Sequence, residues 1–160
     1  MYLDDFVAGT QYQAGPITVD KDELIAFAKR YDPQPFHTDP EAAKTTLFGG
    51  LAASGWMTGS LTMRMLIESG NIPTGGLIAR EVEKIEWPRP TRAGDTLRAM
   101  SEVIETIPSK TKPDRGMLRM RTTTTNQNGE IVQIMTALLV VPRRVAPDET
   151  SKAEVSKADA

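Results

Sequence analysis

From Gly55 to Ser69 the chain places Trp56, Met57, Leu61, Met63, Met65, Leu66 and Ile67 in one uninterrupted stretch that stops at Gly70. At helical spacing these side chains cover most of the circumference, and a helix that is apolar nearly all round is normally buried. Ser54 is a suitable N-cap ahead of it and Gly70 a suitable stop. The segment is therefore predicted to be a central helix, and the rest of the chain must wrap it.

The wrapping is expected from strands. Leu77 to Trp87 is closed by Pro88-Arg89-Pro90, and Asp95 to Ile107 opens after the turn at Ala93-Gly94-Asp95. Met117 to Thr125 and Ile131 to Val141 follow, joined across Asn126–Gly129, where Asn128-Gly129 is a strong hairpin signal. Ahead of the central helix lies a short strand-like lead. Asp20-Lys-Asp-Glu23 then has the form of an N-cap with a capping-box Glu. Leu24, Ala28 and Tyr31 share one face of the helix that follows, with Ile25 and Phe27 beside it. Pro33 disfavours helical geometry at the residue before it, so this helix ends at Tyr31 or Asp32. Asp39-Pro40-Glu41 starts a second, short helix running to about Thr45. Four strands after a helical middle define an α+β domain with one antiparallel sheet on one long helix. The 160 residues fit one such domain, assigned to 1–143. Val145 to Ala160 has only two valines among Ala, Lys, Asp, Glu and Ser, so 144–160 is expected to be a disordered tail.

Several function classes fall away on composition. The net charge is −2, with Lys and Arg scattered, which excludes an electrostatic nucleic-acid binder. No apolar stretch reaches the roughly 20 residues of a membrane span, and the acidic N-terminus lacks a secretory pattern. A cytoplasmic location is the default expectation. Cysteine is absent and histidine occurs once, so a metal site built from several His or Cys ligands is not expected. A hard-cation site of carboxylates alone stays open, although no calcium-loop spacing occurs.

The one histidine stands in Tyr31-Asp-Pro-Gln-Pro-Phe-His37. Pro33 and Pro35 stiffen this segment, so it loses little entropy in holding Asp32 and His37 in a fixed relation. A carboxylate and an imidazole together suit proton transfer to and from water. On the residues alone, Asp32 can equally be a helix terminator and His37 a structural residue. Ala53-Ser54-Gly55 is the second element. Unpaired N–H groups at a helix start attract a developing oxyanion, and glycine permits close approach. A plain N-cap with a packing glycine is the competing reading.

The chain resembles the MaoC-like dehydratase family, which includes the (R)-specific enoyl-CoA hydratases. The resemblance runs through Phe27-Ala-x-x-Tyr-Asp-Pro-Gln-Pro-Phe-His-Thr-Asp-Pro-Glu-Ala-Ala43, Thr46-Leu-Phe-Gly49 and Ala53-Ser-Gly-Trp56. It resumes at Trp87-Pro-Arg-Pro90, Gly94-Asp-Thr-Leu97 and Asn126-x-Asn-Gly129, and so covers about Ile17 to Val141. It implies the hot-dog fold, an antiparallel sheet around a long helix, assembled as a homodimer or higher homo-oligomer. It implies that Asp32 and His37 activate water and that Gly55, with Ser54 beside it, polarises a thioester carbonyl. Gln34, Pro35 and Phe36 form the supporting loop. The implied reaction is reversible addition of water to an enoyl thioester, with acyl-CoA as substrate and no cofactor. The chain departs from the hydratase pattern at three positions. Gln34 replaces the usual Asn, Ser54 replaces a frequent His, and Met63 falls where those helices have a hydroxyl. Two other readings of the fold are an acyl-CoA thioesterase and a non-catalytic thioester-binding module. The first commonly uses a carboxylate on the central helix, where this chain has only Glu68.

Overall fold

The computed structural model describes residues 1–144. Five strands form one antiparallel sheet: β1 (Gln11–Thr18), β2 (Ile78–Glu86), β3 (Thr96–Pro108), β4 (Arg115–Thr125) and β5 (Ile131–Pro142). Their spatial order is β1-β3-β4-β5-β2, so β1 and β2 are the edges. Helices α1 (Lys21–Tyr31), α2 (Pro35–Thr38), α3 (Pro40–Ala43) and α4 (Gly55–Glu68) lie between β1 and β2 in the sequence. The sheet packs on α4. This is the hot-dog arrangement, and the strand-like lead is its fifth strand.

The strands follow from side-chain alternation. On β3, Leu97, Ala99, Ser101 and Val103 point inward, and on β4, Gly116, Leu118, Met120, Thr122 and Thr124 do. The β4–β5 turn forms where Asn128-Gly129 predicts it. The Asn126 N–H donates to the Glu130 carbonyl at 3.0 Å, and Gly129 takes a φ of +74° that glycine adopts without a Cβ penalty. Asp20 caps α1 by accepting from the Glu23 N–H at 2.8 Å. That helix ends at Tyr31, ahead of Pro33.

Two packed regions hold the sheet. Met57, Leu61 and Met65 of α4 meet Ala14, Val19, Leu24, Leu97, Ala99 and Val132. Leu3 and Phe6, from the N-terminal turn, close a second cluster around Val103, Leu118, Leu139 and Val141. Arg144, grouped by composition with the tail, is bound here instead. Its guanidinium donates to Asp5 at 2.7 Å and its N–H to Asp4 at 3.0 Å. The remainder of the expected tail lies outside the described residues.

The expectation that α4 is buried all round needs correcting for a single chain. Trp56 is 63% exposed and Ile67 52%. One sheet covers one side of a helix, so the opposite face stays open. Edge strand β2 is also exposed over most of its length. Met63, Val82, Ile85 and Met135 join Trp56 along this open strip.

Leu118 is fully buried on β4, between β3 and β5. Leu118→Ala is expected to lower unfolding free energy by about 2–5 kcal/mol through lost transfer and a residual cavity. Met100→Ala, at an outward-facing position on β3, should change it by less than about 1 kcal/mol. Urea denaturation of both variants checks the pair.

Candidate active site

Asp32 follows the last residue of α1, and its N–H donates to the Ala28 carbonyl at 2.8 Å. Its carboxylate receives two side-chain hydrogen bonds. Gln34 Nε2 donates to Oδ1 at 2.6 Å, and Ser54 Oγ donates to Oδ2 at 2.7 Å. Burial alone would raise the Asp32 pKa. The bonds from Gln34 and Ser54, with a charged His37, outweigh it and hold the carboxyl below its ordinary value.

The segment from Asp32 to His37 is not the single stiff loop expected from its prolines. Gln34 precedes α2 without a side-chain capping bond, and α2 is a one-turn helix with Pro35 at its first position, where the missing proline N–H costs nothing. His37 sits on this turn and is 5% exposed. Its ring packs edge-on against Phe36, with centroids 4.5 Å apart, and faces Phe48 at 5.9 Å.

His37 Nδ1 lies 2.7 Å from the Ala52 carbonyl oxygen. A carbonyl can only accept, so this bond assigns the proton to Nδ1 and leaves Nε2 with a free lone pair when the ring is neutral. Nε2 is 3.4 Å from Asp32 Oδ2. Two acceptors face each other across that distance. They bond directly when the ring is protonated, and when it is neutral both can accept from one shared donor. Water, with two protons, is such a donor.

An open cleft of about 750 Å³ lies beside this pair. Its walls include His37, Phe48, Gly55, Thr58, Trp87 and Arg92, while Asp32 and Ser54 do not line it. The Ser54 side chain is directed to Asp32 rather than into the cleft. Its hydroxyl is fully buried, donating to Asp32 and accepting from the Trp56 N–H at 3.3 Å. Gly55 does reach the cleft. Among the described residues its N–H has no acceptor, as expected for the first turn of a helix.

Gly55 is required for space rather than for a special φ. A Cβ there would fall 2.6 Å from the Trp87 ring. Trp87 is held in turn by donation from Nε1 to Gln133 Oε1 at 3.0 Å, and Gln133, fully buried, donates to Thr62 Oγ1 at 3.3 Å. Neither the packing of Trp87 on Gly55 nor this anchor was anticipated from sequence. The one signal available is a glutamine inside the otherwise apolar run Ile131-Val-Gln-Ile-Met135. Among the described residues no three His, Asp or Glu side chains gather as metal ligands.

A family model described as MaoC like domain matches residues 5–126. An uncharacterized protein of Bacillus subtilis is 30% identical over 127 residues, covering 79% of this chain and 89% of the relative. The crystal structure of a MaoC-like dehydratase from Rhodospirillum rubrum is 44% identical with a TM-score of 0.87, covering 91% of this chain and 99% of that one. An (R)-hydratase from Pseudomonas aeruginosa shares the fold at 24% identity and a TM-score of 0.69, over 91% of this chain and 92% of that one. The chain belongs to the MaoC-like domain family.

Ser54→Ala removes one of the two donors that stabilise ionised Asp32, so the Asp32 titration should move upward. The sign for stability follows from linkage. A lowered folded-state pKa contributes stability above the unfolded carboxyl value, and that contribution is lost as pH falls through the folded value. The Ser54→Ala protein should therefore lose less stability on acidification. Carbon-13 NMR of the Asp32 carboxyl, with urea denaturation across the same pH range, measures both.

Proposed function

We propose that this protein is a hydro-lyase that reversibly adds water to an enoyl thioester, taking acyl-CoA as substrate and forming a 3-hydroxyacyl thioester. The observation that supports this most directly is the facing pair of acceptors, Asp32 Oδ2 and His37 Nε2, at 3.4 Å. With Nδ1 committed to Ala52, Nε2 is free to act as a base.

In the hydration direction a water bridges the two acceptors. Gln34 and Ser54 stabilise the carboxylate in its ionised form, so Asp32 orients the water and His37 takes its proton. The water oxygen bonds to C3 as the C2–C3 double-bond electrons shift toward the thioester carbonyl. The Gly55 N–H, at the positive end of α4, meets the charge developing on that oxygen. C2 then takes a proton from the protonated His37, and the enzyme returns to its starting state. Dehydration is the same path reversed, and neither direction involves a change of redox state. Hydrolysis of the thioester is less well supported. Glu68, the only acid on α4, lies at its last turn, 59% exposed and bound to Arg64 at 2.8 Å.

A homodimer is part of the same proposal. The open strip around Trp56, Met63 and Val82 is apolar, and β2 offers an unpaired strand edge beside it. A second copy covering both would remove an aggregation liability.

Asp32→Asn and His37→Gln should each slow hydration of a short enoyl-CoA by about 10²–10⁴-fold. The assay follows loss of enoyl absorbance, with circular dichroism to confirm folding. Full turnover by either folded variant would exclude the mechanism, and release of free CoA thiol would point to hydrolysis.

Val82→Lys puts a charge in the open strip and is expected to convert a dimer to a monomer in sedimentation velocity. A monomeric wild type would rule out the dimer.

A further inference from the structure

We infer that Arg92 is a positioning residue for the Asp32–His37 pair: by pinning the backbone of 48–51 it keeps the Ala52 carbonyl on His37 Nδ1 and so keeps Nε2 the free nitrogen. The catalytic meaning of this rests on the proposed function, while the structural part stands separately.

Arg92 is itself firmly placed. Its N–H donates to Asp95 Oδ2 at 2.7 Å, and the carbonyl of the preceding Thr91 accepts from the Ala53 N–H at 2.8 Å. From that base the guanidinium reaches three carbonyls in one short segment. Nη1 donates to Gly50 at 2.8 Å and Leu51 at 2.9 Å, and Nη2 donates to Phe48 at 2.6 Å. The segment belongs to no helix or strand, so these carbonyls lack the ladder partners that would otherwise fix them. Among the described residues no carboxylate forms an ion pair with Arg92. Its charge is directed to backbone oxygen.

The pinned segment runs directly into Ala52, which is tied to α2 twice. Its N–H donates to the Phe36 carbonyl at 3.0 Å, and its carbonyl accepts from His37 Nδ1 at 2.7 Å. The second bond selects the tautomer and fixes the ring plane. If 48–51 were released, the Ala52 carbonyl could move off Nδ1, and the neutral ring could carry its proton on Nε2. Nε2–H would then donate to Asp32, leaving no lone pair for water. A planar guanidinium with five donors can span several carbonyls in fixed geometry, which a lysine ammonium on a flexible stem cannot reproduce.

His37 is the only histidine in the chain, so the imidazole region of a long-range proton–nitrogen NMR spectrum reports this one ring. At a pH where the ring is neutral, the wild type should show the Nδ1–H tautomer alone. Arg92→Gln should show a mixture of both tautomers. Its kcat on a short enoyl-CoA should fall about 10–100-fold, as expected for sub-ångström misplacement of a reacting group, with little change in KM. Arg92→Lys, which retains the charge, should lie between the two, and it supplies the same readouts if the Gln variant does not fold. A folded variant that keeps the pure Nδ1–H tautomer overturns the inference, whether or not its activity falls. So does a wild type with its proton on Nε2. A tautomer mixture in the variant, with no turnover by the wild type, would uphold the role of Arg92 and reject the hydratase reading.

Discussion

The hydroxyl of Ser54 joins the two halves of the site. It caps the first turn of α4 through the Trp56 N–H and donates to Asp32 Oδ2 at 2.7 Å, across a sequence separation of 22. The central helix and the end of α1 are therefore locked to each other by a group with no measurable exposure. A buried hydroxyl without partners would cost free energy, and here it has one acceptor and one donor. The carboxylate receives a second bond from Gln34, so its orientation toward His37 is set from both oxygens.

Around that anchor the site is built by pairs of constraints rather than by single residues. His37 is held by ring contacts with Phe36 and Phe48 and by a carbonyl on Nδ1. Gly55 is held under Trp87, and Trp87 by Gln133. The second chain of contacts starts at the fully buried Gln133, and both end at residues that line the cleft. Such support holds the Asp32 and His37 acceptors and the Gly55 N–H in a set relation to one another. Among the described residues no buried side-chain polar atom lacks a hydrogen-bond partner, as an interior with several threonines and a glutamine requires.

Much of the fold is legible along the chain because it depends on local rules. The caps at Asp20 and Ser54, the stop before Pro33 and the turn at Asn128-Gly129 are short-range chemistry, and all are found where those rules place them. The alternation on β3 and β4 is equally local. Two readings failed for identifiable reasons. The prolines at 33 and 35 predict one stiff loop, but Pro35 also suits the first position of a helix, and the segment forms α2. The apolar girdle of α4 predicts burial, but periodicity records which faces are apolar and not how many of them one chain can cover.

By itself the sequence determined most of the elements and the family resemblance, and it set a carboxylate five positions from the only imidazole. It could not determine which nitrogen of that imidazole is free, because the carbonyl that decides it lies 15 positions away. Nor could it place Trp87 over Gly55, or turn Arg92 toward carbonyls 41 to 44 residues earlier. The bond from Ser54 to Asp32 likewise forms only where α4 meets the end of α1. These contacts join residues with no local pattern in common. They exist because the sheet, in wrapping one face of the helix, brings distant segments within hydrogen-bond distance, and tertiary packing alone specifies which atoms meet.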